Sequence, residues 1–393
     1  MPVDLRTCLA ALVSQDGSDL HIKAGRPPLG RIDGVLRPLL PDAEPMSAAE
    51  TEAMAQAMLP DDEARARFAE EHEIDLAHTE PGIARLRVNA FRQRGSVAIV
   101  CRVVPDAPRS LEELGMPPVI GELADEERGL VLVTGITGSG KSTTLAGMVD
   151  RINRSRDCHV VTIEDPIEML HQDRRASINQ REVGHDTGSF AQALRRVLRQ
   201  DPDVILIGEL RDEETVHAAL SAAETGHLVL STVHTLDATG AVDRLVGFFP
   251  PHQHQQIREA LALTLQGVVS QRLVPLAAGK GRAAVCEVLR ATGLVKDIVR
   301  DPARLGELEQ VIADGAHYGM QTFDQALCRM VLDGTVARED AMRAAARPHD
   351  LELLLRADGR MGTSMDDVAD QQRRSAAAAA GGLDEQPAVL PAV

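Results

Sequence analysis

The sequence predicts an α/β protein in two parts: a small mixed domain, then a parallel sheet with helices on both faces and a helical C-terminal segment. Three observations carry this. Gly129 to Thr144 reads as buried strand, glycine loop and helix start. From Leu130 onward, short apolar runs alternate with stretches of helical periodicity, the pattern of a parallel sheet. A proline-containing linker, Pro105 to Arg109, separates this region from a first part with hairpin and capping signals.

Taken in order, the first part opens with an amphipathic helix over Leu5 to Ser14 and a short strand within Gly17 to Ile22. Asp33-Gly34 between Arg31-Ile32 and Val35-Leu36 predicts a hairpin. Ser47 with Glu50 three residues on predicts a capping box and a helix over Ala48 to Met58. Strands follow at Ala84 to Phe91 and Ser96 to Val104. In the second part, strands fall at Leu130 to Val133, Val160 to Ile163, Val204 to Ile207 and Leu228 to Ser231, with helices at Ser142 to Asn153, Ser189 to Arg199 and Asp212 to Glu224. Arg282 to Leu289 reads as a sheet edge, and helices follow near Thr322 to Leu332 and Arg338 to Ala345. The expected boundaries are 1–107, 108–360 and a tail, 361–393, too poor in apolar pattern to order.

The composition narrows the function. The 393 residues are 44% hydrophobic and 26% charged, enough for a sizeable core. A net charge of −17 and an aromatic content of 2% oppose nucleic-acid binding, which wants a basic face and stacking platforms. Five scattered cysteines and no long apolar run suit a cytoplasmic protein that meets a membrane only through partners.

The loop Gly135-Ile136-Thr137-Gly138-Ser139-Gly140-Lys141-Ser142, followed by Thr143, fits GxxxxGK[ST] in its proper strand–loop–helix context. Its backbone N–H groups and the helix N-terminus would cradle phosphates. Lys141 would reach the β- and γ-phosphates of ATP, and Ser142 would ligate Mg²⁺. Neighbouring strands deliver acids at their C-terminal ends: Glu164, Asp165 and Glu168 after one, Glu209 after another. At least one should hold metal or position water, because an open α/β sheet gathers its ligands there. His227 and His234 flank a third strand, either as strand-end residues or as a γ-phosphate contact.

Four stretches together resemble the secretion ATPase superfamily: Thr162 to Glu168, Asn179 to Gly184, Ile207 to Asp212, and Glu224 to His227 with Thr232 to His234. They match its Asp box, an adjoining loop, an atypical Walker B with Gly208 in place of the usual acid, and its His box. Ser18 to His21, Arg87 to Phe91 and Gly319 to Leu327 narrow the resemblance to twitching-motility retraction ATPases of the PilT and PilU type, which serve type IV pili.

The resemblance implies a PAS-like first domain, a RecA-like motor domain and a homo-hexamer. It implies ATP hydrolysis that drives pilus retraction through an inner-membrane platform protein, at the cytoplasmic face of that membrane. It assigns Glu168 as general base, Glu209 to the Mg²⁺ shell, His234 to the γ-phosphate, and Arg87 and Arg102 to the nucleotide in the manner of arginine fingers. Ile136 replaces a usual proline, and Ala291 to Arg300 is closer to PilU. That keeps an alternative in view, an accessory nucleotide-binding subunit of low turnover acting with a paralogous retraction ATPase. A pilus-extension or secretion ATPase ranks behind both, since its four-cysteine zinc module is missing.

Overall fold

Residues 84–91 alternate buried and half-exposed side chains, as a strand with one face on a core must. They belong to the first of two compact units in the computed structural model, which describes residues 4–357 apart from 33, 41, 106 and 280. Unit 1 runs to Pro108 and includes Pro166–Gln172; unit 2 comprises Arg109–Asp165 and the chain from Asp173. The expected tail lies outside the described residues.

Unit 1 starts with α1 (Leu5–Ser14), capped by the Asp4 carboxylate, which accepts from the Thr7 amide at 2.7 Å. Strands β1 (Asp19–Lys23), β2 (Leu29–Ile32) and β3 (Val35–Pro38) follow, then α2 (Ala48–Met58) and α3 (Asp62–Glu71). Next come β4 (Glu73–Glu80), β5 (Ala84–Gln93) and β6 (Ser96–Val104). The sheet is antiparallel, ordered β3-β2-β1-β6-β5-β4. The expected hairpin forms, with Ile32 opposite Val35, and α2 has the expected capping box. One face takes Leu9, Met54 and Phe68 from the helices against Leu20, Leu86, Val88 and Ile99. Arg85 and Arg87 alternate with Leu86 and Val88 along β5, so they stand on the other face.

Unit 2 runs through α4 (Pro118–Ala124), β7 (Gly129–Thr134), α5 (Lys141–Ser155), β8 (His159–Glu164), β9 (Ser177–Glu182), α6 (Phe190–Val197), β10 (Val204–Ile207) and α7 (Glu213–Glu224). It continues with β11 (Leu228–Val233), α8 (Ala238–Gly247), α9 (His254–Thr264), β12 (Leu265–Pro275) and β13 (Arg282–Arg290). Helices α10 (Gly293–Arg300), α11 (Leu308–Asp314), α12 (Phe323–Leu332), α13 (Arg338–Ala344) and α14 (Pro348–Arg356) close it. The seven strands are ordered β13-β12-β7-β11-β10-β8-β9, all parallel but β13. Wholly buried β7 feeds both faces. Leu130 and Leu132 join residues of α6 to α10 on one side; Val131 and Val133 join Ile120 of α4 and Met148 and Ile152 of α5 on the other. The residues 179–182 expected in a loop instead form most of β9, the edge strand beside β8.

The C-terminal helices form their own small core, with Phe323, Leu327 and Leu351 against Val274 and Val285. Two polar fastenings hold it. The Arg272 guanidinium lies 3.9 Å over the Phe323 ring and donates to the Ala344 carbonyl at 2.7 Å. Buried Asp324 accepts the Ala346 and Arg347 amides at 2.8 and 2.9 Å. All five cysteines are free, and burial pushes the thiols of Cys8, Cys101 and Cys286 up to about 12.

Phe68 is the one wholly buried side chain of α3 and joins that helix to the sheet. Phe68→Ala should lower the stability of unit 1 by about 3–5 kcal/mol, read by denaturant unfolding.

Candidate active site

The phosphate loop leaves β7 through backbone that only glycine adopts freely. Gly135, Gly138 and Gly140 have φ of 145°, 78° and 91°. At Gly135 space is also lacking: a Cβ there would stand 2.4 Å from Ser139 Oγ and 2.5 Å from the Gln271 carbonyl oxygen. Lys141, buried at the first turn of α5, donates from Nζ to the carbonyls of Gly135 and Ile136 at 2.9 and 3.1 Å. Ser142 is exposed and Thr143 half-buried at the helix N-terminus, while Ile136, Thr137 and Gly138 line the open side. Ser139 Oγ is buried with no hydrogen-bond partner among the described residues. Positive helix end, lysine and unpaired hydroxyl together fit an anionic phosphate chain. The hard oxygen donors Ser142 and Glu209 are of the chemistry Mg²⁺ takes.

The C-terminal ends of β8, β10 and β11 come together because the three strands are parallel neighbours. Side-chain bonds fix their endings: Ser231 Oγ donates to the Ile207 carbonyl and Thr232 Oγ1 to the Gly208 carbonyl, both at 2.7 Å. The Gly208 amide donates to the Ile163 carbonyl at 2.8 Å. A Cβ on Gly208 would stand 3.4 Å from the Glu164 Cα, an ordinary van der Waals contact. Glu209 is the carboxylate that follows this strand in the sequence. Its Oε1 lies 3.4 Å from His234 Nε2, and its Oε2 accepts from Arg211 Nε at 2.7 Å. Arg211 also pairs with Asp165 at 3.6 Å. The hydrogen bond from Arg211 to Glu209 and the two carboxylates beside it hold this guanidinium above its usual value against partial burial. Sequence reasoning named Glu209 and His234 but missed Arg211. The available signal was its place two residues after Glu209, at the mouth of an acid-rich strand end. Glu164 is turned inward: its Oε1 accepts from Thr162 Oγ1 at 2.6 Å and from Gln180 Nε2 at 3.2 Å.

The other expected residues lie in unit 1. Arg87 on β5 stands directly opposite Arg102 on β6. Like charges in such register repel, and each is matched by an acid. Arg102 Nε donates to Asp19 Oδ1 at 2.8 Å, and Arg87 Nη1 lies 3.7 Å from Glu168 Oε1. Glu168 belongs to the Pro166–Gln172 segment, which joins unit 1 by a bond from the Leu170 amide to the Pro105 carbonyl at 3.1 Å. Burial pushes the Asp19 carboxyl up. Hydrogen bonds from Ser18 and Arg102 outweigh that, and the net position is below the ordinary value.

A match to the family described as type II/IV secretion system proteins spans residues 3–343. The chain belongs to that family. Among curated relatives, the type IV pilus retraction ATPase PilT of Pseudomonas aeruginosa is 42% identical over 348 residues, 88% of this chain and all of that one. The type IV pilus ATPase PilU of the same organism is also 42% identical, over 90% of this chain and 92% of its own. A crystal structure of the pilus retraction motor PilT with bound ADP superposes with a TM-score of 0.81 at 40% identity, covering 89% of this chain and 99% of that one. The retraction-type secretion ATPase resemblance drawn from the motifs, and the α/β fold class with it, are borne out. This family member therefore carries its phosphate loop in a nucleotide-binding ATPase fold.

Two outcomes follow from this geometry. Gly135→Ala combines a disfavoured φ with a clash against backbone, so ADP affinity should fall at least about tenfold in a folded protein, measured by calorimetric titration. The lowered Asp19 carboxyl stabilises unit 1 above the ordinary value of 3.8, and that stability is lost as pH falls through the folded-state value. Thermal midpoints of unit 1 should drop below pH 4, and Asp19→Asn should flatten that dependence.

Proposed function

We propose that this family member is the ATP-hydrolysing motor of type IV pilus retraction, working as a homo-hexamer on the inner-membrane platform protein of the pilus, at the cytoplasmic face. The observation that supports it most is the Glu209–His234–Arg211 cluster at the strand ends of a P-loop sheet whose relatives are retraction ATPases.

In the proposed reaction, Lys141 exchanges the carbonyls of its own loop for β- and γ-phosphate oxygens, a charge-assisted trade. The Ser142 hydroxyl, and Glu209 directly or through water, would hold Mg²⁺, which would supply charge neutralisation to the phosphates. Glu168 orients water and accepts its proton as the oxygen attacks the γ-phosphorus. The bond to the β–γ bridging oxygen breaks, and ADP carries that electron pair away. His234 contacts the γ-phosphate, and Arg87 and Arg102 offset charge on the transferring group.

A second reading, the accessory subunit of low intrinsic turnover, is kept by one observation: identity to PilT and to PilU is the same 42%. Turnover by purified protein with light scattering on the same sample separates the two. The motor should hydrolyse ATP as a hexamer and stop when EDTA removes Mg²⁺. Lys141→Ala and Glu168→Gln should each lose about 10²-fold or more in kcat while remaining folded. A hexamer that binds ADP, yet turns over only with its paralogue present, would establish the accessory reading instead. Near-normal turnover by Glu168→Gln would remove that residue as the base.

A further inference from the structure

Strand β12 contributes no residue to the proposed chemistry, yet the phosphate loop is built against it. Parallel to β7, β12 pairs Ser270 with Thr134, and the two hydroxyls meet at 3.0 Å in the buried interior. The next residue, Gln271, is buried and touches the loop at both ends. Its carbonyl oxygen occupies the space a Cβ on Gly135 would need, and its side-chain Nε2 lies 2.7 Å from where a Cβ on Gly140 would stand. Its Oε1 accepts a hydrogen bond from Thr144 Oγ1 at 2.7 Å, in the first turn of α5. Thr144 is wholly buried, and its own amide donates to the Gly140 carbonyl at 3.0 Å.

We infer that Gln271 is a positioning residue for ATP, setting the width of the phosphate loop by bracing its first glycine with backbone and its last with side chain. The inference rests on the reading of this loop as an ATP site. Lys141 and the loop amides bind phosphate oxygens only if the turn between Gly135 and Gly140 keeps its span, and an error near 1 Å in such a cradle is felt strongly. Glutamine suits the place because one amide group offers an acceptor to Thr144 while its nitrogen fills the space beside the glycine. A longer or branched residue at Gly140 would displace it. An apolar residue at 271 would leave the Thr144 hydroxyl buried without this acceptor.

The test uses the full-length chain and two substitutions that remove the same hydrogen bond from opposite sides, Thr144→Val and Gln271→Met, with Thr144→Ser as the conservative control. Calorimetric titration with ADP and steady-state ATP hydrolysis are read beside the melting temperature of the nucleotide-free protein. Each of the two substitutions should weaken ADP binding and raise the KM for ATP about tenfold, with a smaller change in kcat. Thr144→Ser should stay within about twofold of wild type. A Thr144→Val protein that melts lower yet binds ADP as wild type does would overturn the inference, because the contact would then serve stability alone. Should Gln271→Met fail to fold, the Thr144→Val and Thr144→Ser pair decides the matter by itself. Failure of the wild-type chain to bind ADP would instead overturn the nucleotide reading, so the two failures are told apart.

Discussion

Between Gly135 and the Gln271 carbonyl there is no room for a methyl group, and much of unit 2 is arranged by that approach. It requires β12 to run beside β7, which in turn places β13 and the C-terminal helices on that flank of the sheet. The loop must then turn through three positive-φ glycines before α5 can start, so Lys141 and Ser142 emerge at the helix N-terminus. On the other flank, β11 and β10 present Glu209 and His234 at the same end of the sheet. Backbone proximity, a steric fact, thus precedes and locates the electrostatics.

Those electrostatics are loosely held. Arg211 and His234 are about half exposed, and pairs of that kind contribute only ~0–1 kcal/mol each. Glu209 can change partners at little cost, as its proposed place in the Mg²⁺ shell requires. The hydroxyl bonds behind it, from Ser231 and Thr232 to backbone carbonyls, are buried or nearly so and keep the strand ends in register. A rigid frame thus carries exchangeable charges.

Much of this was legible in the chain because the relevant residues are punctuated by their own chemistry. Glycines, the Lys-Ser pair and acids closing apolar runs marked the loop and the ends of β8 and β10. Elements whose burial is paid in polar residues were not legible. Strand β12 has Ser270, Gln271 and Arg272 at its centre, because they face a loop and a helical module rather than an aliphatic core. Strand β9 is an edge with mostly polar side chains, and α3 buries Phe68 alone among charged neighbours, so neither shows an apolar stripe. Strand β4 is likewise an edge, with a single fully buried residue, Ile74. Arg211 and Gln271 were missed for a related reason. Their roles come from strand order, and a linear reading cannot see which strand ends are neighbours.

The buried thiols have a consequence of their own. Burial raises the thiols of Cys8, Cys101 and Cys286 well above the ordinary range, so thiolate is scarce at these sites at neutral pH. Peroxide and disulfide exchange both need that anion and a path to it. Oxidants therefore find almost no nucleophile at these three positions. Through them, the redox balance of the surroundings has no handle on this machine.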